Sequence, residues 1–129
     1  MAAEYRDAPA LAPPPGYSHV AIAPAGTLVL TAGAVPIDAD GNLVGAEDPA
    51  AQTRVVLDNL VVALETGGAT PADVLKTTVY VVGGHEAQLA VWDVVRASSL
   101  GRAPSTLLGI SSLGYRGQLV EIEAIAVTA

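Results

Sequence analysis

The chain contains no cysteine. Disulfide staples, thiolate zinc sites and cysteine nucleophiles are therefore excluded together. Basic residues are scarce: six Lys and Arg stand against 13 Asp and Glu, for a formal net charge of −7. A surface of that sign repels phosphate, so neither nucleic acid nor an anionic membrane is expected as a partner. Long apolar runs are missing too, and nothing approaches the ~20 residues that a membrane-spanning helix needs. Met1 to Asp7 carries acids and no apolar signal core, so a secretory leader is not expected and the cytoplasm is the default location. His19 and His85 lack ligand-spaced companions, so no metal site is expected.

What the chain has in abundance is apolar. Hydrophobic residues make up 51% of it and charged residues only 15%, against roughly 25% charged in an ordinary soluble domain. A lone subunit of this length keeps roughly 6,000 Å² accessible and has too few polar groups to cover it. A soluble homo-oligomer, with part of each subunit's outside buried against its copies, is the reading that remains. The length fits a single domain over residues 1–129. Residues 1–15 form an N-terminal segment that is Pro-rich from Ala8 onward and expected to be extended.

His19 to Ala23 and Thr27 to Ala32 are short β-type runs around the turn Pro24-Ala25-Gly26, which predicts a hairpin. Asp38 to Asn42 reads as a second turn before a strand stub at Leu43-Val44. Asp48-Pro49 is a helix start, and Val56, Leu57, Leu60, Val61 and Leu64 follow at helical spacing until Gly67-Gly68. Val74 to Val82 is β-branched and predicts a strand. After Gly83-Gly84 a helix is predicted over His85 to Ser99, with Leu89, Trp92 and Val95 on its inner face and Arg96 at the edge. Thr106 to Ser112 and Leu119 to Thr128 complete the strands. The order predicts an α/β fold with a mixed sheet and both helices on one face, the other face being the oligomer contact.

The last strand carries an odd pattern. Alternation puts Val120, Ile122 and Ala124 on one face and Glu121, Glu123 and Ile125 on the other. Two carboxylates in an apolar strand are costly if buried and unpaired. Either they sit at a solvated rim or pair with Lys76 or an arginine, or one faces an interface cleft suited to proton transfer.

Several segments together carry a resemblance. They are Gly33-Ala34-Val35-Pro36-Ile37-Asp38 with Gly41-Asn42-Leu43-Val44, Gln52-Thr53-Arg54 with Leu57-Asp58-Asn59-Leu60, Asp73 to Val81, and Val120 to Ala126. In this order they resemble the landmarks of the reactive intermediate deaminase family, also called Rid, YjgF or endoribonuclease L-PSP, over roughly residues 16–127. The resemblance implies a chorismate-mutase-like subunit, a homotrimer and a small-molecule cleft at each subunit boundary, with no cofactor. Deaminating members hydrolyse enamines and imines to a keto acid and ammonia. An arginine grips the substrate carboxylate while a glutamate positions the attacking water.

Carried over by position, the resemblance makes Glu121 the water-orienting acid and places Tyr17, Gly33, Ser105 and Leu107 at ligand-binding positions. The arginine itself does not match. Deaminating members carry Pro-x-Arg-Ser/Thr before the fifth strand, whereas this chain reads Arg102-Ala103-Pro104-Ser105-Thr106. Anchoring on Gly109-Ile110 puts Ser105 at the arginine position, and a one-residue slip puts Pro104 there. The family's cleft serine becomes Ala32 and its helix-two asparagine becomes apolar, at Leu89. Arg102 and Arg116 are the candidate replacement cations, the second in a loop, Gly114 to Gly117, one residue longer than the family's. The expected function is a trimeric small-molecule binder with little imino-acid deaminase activity. The alternative is an enamine or imine hydrolase of the 2-iminobutanoate/2-iminopropanoate deaminase kind acting through Glu121, and an endoribonuclease or translation-inhibitor role comes third because of the acidic charge.

Overall fold

The architecture is taken from a computed structural model, which describes residues 3–129. Six strands and two α-helices follow in the order β1 (Glu4–Arg6), β2 (Val20–Ile22), β3 (Thr27–Leu30), α1 (Pro49–Thr66), β4 (Val74–Val82), α2 (His85–Arg96), β5 (Ser105–Ile110) and β6 (Val120–Thr128). The main sheet runs β3-β6-β4-β5. Only the β4–β5 pair is parallel, because α2 provides the crossover that a parallel pair requires; β6 is antiparallel to both of its neighbours. The sheet is mixed, as expected.

The expected hairpin does not form. β3 pairs with β6 through Thr27↔Thr128 to Leu30↔Ile125, while β2 pairs with β1 in a separate two-stranded sheet. The Pro-rich segment is the connection between β1 and β2. β1 went unpredicted because Glu-Tyr-Arg has no run of β-branched residues; its tyrosine anchors it, with the Tyr5 hydroxyl donating to the Val74 carbonyl at 2.7 Å.

α1 starts where the sequence predicts. The Asp48 carboxylate accepts from the Ala51 amide at 3.0 Å, Pro49 takes the first helical position, and Gly67 caps the other end. Val56, Leu57, Leu60 and Leu64 are buried from the same helix stripe. They pack with Val79, Val81, Val120, Ile122, Ala124 and Ala126 of the sheet and with Val91 and Val95 of α2. In α2 the predicted inner face is rotated. Val91 and Val95 are buried, whereas Leu89 is 62% exposed, because α2 lies against α1 and β4 on its 91–95 side. α2 also stops at Arg96, three residues before the predicted end.

A register shift between Val74 and Lys76 inserts one residue at the start of β4. It lets Val74 and Thr77 both face the helices, while Lys76, Thr78 and Tyr80 point to the open side. Among the described residues no helix is long and apolar enough to cross a membrane.

Candidate functional site

Glu121 lies on the open face of the sheet, paired across the ladder with Tyr80. Gly33 reaches it because the chain beyond β3 continues beside β6: Thr31 N donates to Ala124 O at 3.0 Å and Ala34 N to Ile122 O at 2.8 Å. A Cβ on Gly33 would overlap the Glu121 carboxylate, so only glycine lets the two meet. Two side chains of α1 hold this region. Asn59 donates to the carbonyls of Val35 and Ile37 at 2.8 and 3.1 Å, fixing the segment after Gly33. The fully buried Gln52 donates to Gly117 O at 3.0 Å and accepts from Leu119 N at 2.8 Å, fixing the loop before β6. Both belong to the segments that carry the family resemblance, and their positioning roles become visible only in the fold.

Gln118 is the neighbour of Glu121 that the sequence reading missed. Its buried amide donates to Glu121 Oε1 at 3.0 Å and to Val120 O at 3.1 Å, and its oxygen accepts from Tyr115 N at 3.2 Å. One carboxylate oxygen of Glu121 is thus tethered to the 114–117 loop. A Gln three residues before an acid in a strand carries no spacing signal by itself, so pattern reading could not find it.

Glu123 pairs neither with Lys76 nor with an arginine. Tyr80 donates its hydroxyl to Glu123 Oε1 instead. That bond, with some burial and the charges of Glu123 and Glu121, raises the Tyr80 pKa above its ordinary value. Lys76 reaches across to β5 and donates to Thr106 Oγ1 at 2.6 Å; burial lowers its pKa. Neutral hydroxyl partners on neighbouring strands satisfy these groups, which is why the expected ion pairs are not made.

The other carried-over positions gather elsewhere. A cavity of about 240 Å³ is lined by Pro15, Tyr17, Trp92, Ser105 and Leu107. Ser105 and Leu107 share the register of Thr77 and Val79, so they face the helix side of the sheet. Trp92 packs against the core as expected but is only partly buried; it is also a cavity wall, its indole N–H reaching out to Pro15 O at 2.7 Å. Tyr17 packs edge-on against it, ring centres 5.9 Å apart. Ser105 is fixed by the buried Thr77, whose hydroxyl donates to Ser105 Oγ at 2.8 Å.

Within one chain, then, Gly33 and Glu121 are together, Tyr17, Ser105 and Leu107 are together, and the two groups lie on opposite faces of the sheet. Ala32 and Leu89 are exposed, and neither lines this cavity. Neither candidate cation lines the cavity. The Arg102 guanidinium sits 6.0 Å from the Tyr5 ring centre, and Arg116 is exposed in its loop.

The family model described as endoribonuclease L-PSP matches residues 7–128. A RutC family protein from Pyrococcus horikoshii is 34% identical over 103 residues, covering 79% of this chain and 80% of that one. The 2-iminobutanoate/2-iminopropanoate deaminase of Salmonella typhimurium is 41% identical over 56 residues, 43% of each chain. The crystal structure of YyfB from Yersinia pestis, a protein of unknown function of the Rid family, covers 99% of this chain and 100% of its own at 34% identity, with a TM-score of 0.91. This chain belongs to the endoribonuclease L-PSP family, the Rid/YjgF proteins.

Proposed function

We propose that the protein is a homotrimer with a small-molecule cleft at each subunit boundary, and that it hydrolyses imino acids poorly because Ser105 stands at the carboxylate-gripping position. The observation that carries this reading is the division of the site residues between two faces of one sheet. Tyr17, Ser105 and Leu107 open on the helix side, Gly33 and Glu121 on the other. One subunit cannot close both halves around a ligand; the edge of a second copy can.

The open face supports assembly. Leu28 and Leu30 of β3 are 57% and 64% exposed there, beside Ile125 and with Leu108 of β5. An accessible area of 6897 Å² also exceeds the roughly 6,000 Å² of a well-covered monomer of this size. Four large apolar side chains on one uncovered sheet face are a surface built for burial.

At the cleft, Ser105 supplies one neutral donor where an arginine would supply two charge-assisted ones. Losing such a grip costs on the order of 2–5 kcal/mol of orientation and charge neutralisation. Ammonia release from a mixture of amino acid and amino acid oxidase tests the point. The expected result is a rate no faster than the spontaneous one; acceleration matching that of the Salmonella typhimurium deaminase overturns it.

A second reading, imine or enamine hydrolysis of a substrate without a carboxylate, is favoured by the state of Glu121. Gln118 tethers one of its oxygens, and the other lies beside Gly33. A carboxylate so held can orient a water toward an imine carbon and take up its proton.

A further inference from the structure

We propose that the cavity formed by Pro15, Tyr17, Trp92, Ser105 and Leu107 selects a small, flat, uncharged molecule bearing one hydrogen-bond acceptor, such as a ring-conjugated carbonyl compound. The proposal rests on the reading of this cavity as one half of the ligand site and names the ligand class that the half would take.

Size sets the first limit. The cavity holds about 240 Å³, below the roughly 300–1,000 Å³ typical of drug-sized sites, so one ring with a short substituent is the natural occupant. The walls set the second. Tyr17 and Trp92 meet at 68° with centres 5.9 Å apart, and Leu107 and Pro15 complete an apolar lining that suits a planar π-system. The indole N–H of Trp92 is spent on the Pro15 carbonyl, so that ring presents hydrocarbon to the ligand.

Charge sets the third limit. None of the five lining residues is an Asp, Glu, Lys, Arg or His. Ser105 accepts from Thr77, and its own hydroxyl proton remains to be donated to a ligand oxygen. An anion placed here would give up hydration for a single neutral hydrogen bond, whereas a neutral carbonyl surrenders far less. Arg102 is engaged over Tyr5. Arg96 packs its Cβ on Gly16, next to Pro15 and Tyr17, and is the cation that a competing account would invoke.

Trp92 is the sole tryptophan, so its emission reports occupancy of this cavity directly. The probes are 2-furamide and 2-furoate, equal in shape and different in charge, titrated into the intact protein while sedimentation records its assembly in the same buffer. The amide is expected to shift Trp92 emission saturably and to bind at least about tenfold tighter than the acid. Ser105→Ala should weaken the amide about fivefold, the value of one hydrogen bond. Ser105→Arg should invert the preference. Equal or tighter binding of 2-furoate overturns the proposal, and if Arg96→Ala then abolishes it, Arg96 is the missing cation. Failure of both probes to change the emission overturns it as well. A monomer that still prefers the amide removes the shared-cleft reading but supports the cavity's preference; a trimer indifferent to charge does the reverse.

Discussion

The two faces of the main sheet are made by the same strands and have opposite characters. On the helix side Val79, Val81, Val120, Ile122 and Ala126 are fully buried and wholly apolar. On the open side the intervening positions read Lys76, Thr78, Tyr80, Glu121 and Glu123, bordered by Leu28, Leu30, Leu108 and Ile125. The first face solves a folding problem inside one chain. The second pairs several of its polar groups within the chain, Tyr80 with Glu123 and Gln118 with Glu121, yet leaves its leucines to water. A surface whose large apolar side chains are left uncovered is ready to be covered by another surface of the same kind.

Substitutions on each side can break that comparison. The largest effect on stability is expected from Leu60→Ala, beneath the helix side, where truncating a fully buried leucine costs about 2–5 kcal/mol; chemical denaturation reads it. Gln118→Leu comes next. It strips partners from Glu121, Val120 and Tyr115, for an expected loss of about 1–3 kcal/mol, and hydrogen exchange at the Tyr115 amide should accelerate. Leu30→Asp on the open side is expected to leave the stability of the subunit within about 0.5 kcal/mol. If the proposed trimer forms, the substitution should convert the sedimenting species to monomer; an unchanged trimer would move the contact elsewhere.

The smallest effect concerns pH and sharpens the comparison through two tyrosines. Tyr5, against the core, has its pKa raised chiefly by burial, with Arg102 opposing; Tyr80, on the open side, has its pKa raised chiefly by its bond to Glu123. In both cases the folded chain keeps a proton that the unfolded chain releases above pH about 10. Their contribution is therefore complete below pH 10 and fades as pH climbs through the folded values. Lys76, lowered by burial, acts in the opposite sense, adding stability as pH rises toward its unfolded value. Melting midpoints between pH 9 and 11 should fall less steeply in Tyr80→Phe and in Tyr5→Phe than in the parent, each variant removing its own share.

Local rules made much of this legible. The Asp48-Pro49 start of α1, its Val56 to Leu64 stripe, the limits of β4 and the alternation in β6 all follow from capping chemistry and periodicity, which act within a few residues. The failures are non-local. β2 and β3 were expected to pair because a turn separates them, but β6 offers β3 a longer partner and Tyr5 ties β1 to the core edge. Leu89 was expected inward because it shares a stripe with Trp92 and Val95, but Val91 and Val95 form the buried side and Trp92 only its edge, which leaves Leu89 exposed. The candidate site was legible as a set of residue types. Its partition between two faces was not, because a resemblance orders residues along the chain and says nothing of which side of a sheet each one takes.

The separation of Glu121 from Ser105 has a genetic consequence. If a working cleft borrows one wall from each of two neighbours, a copy ruined at Glu121 still carries a sound Ser105 wall, and a copy ruined at Ser105 still carries a sound Glu121. Two inactive alleles expressed together would then rebuild intact clefts, in roughly a quarter of the positions if the copies mix at random. Neither allele expressed alone could form even one.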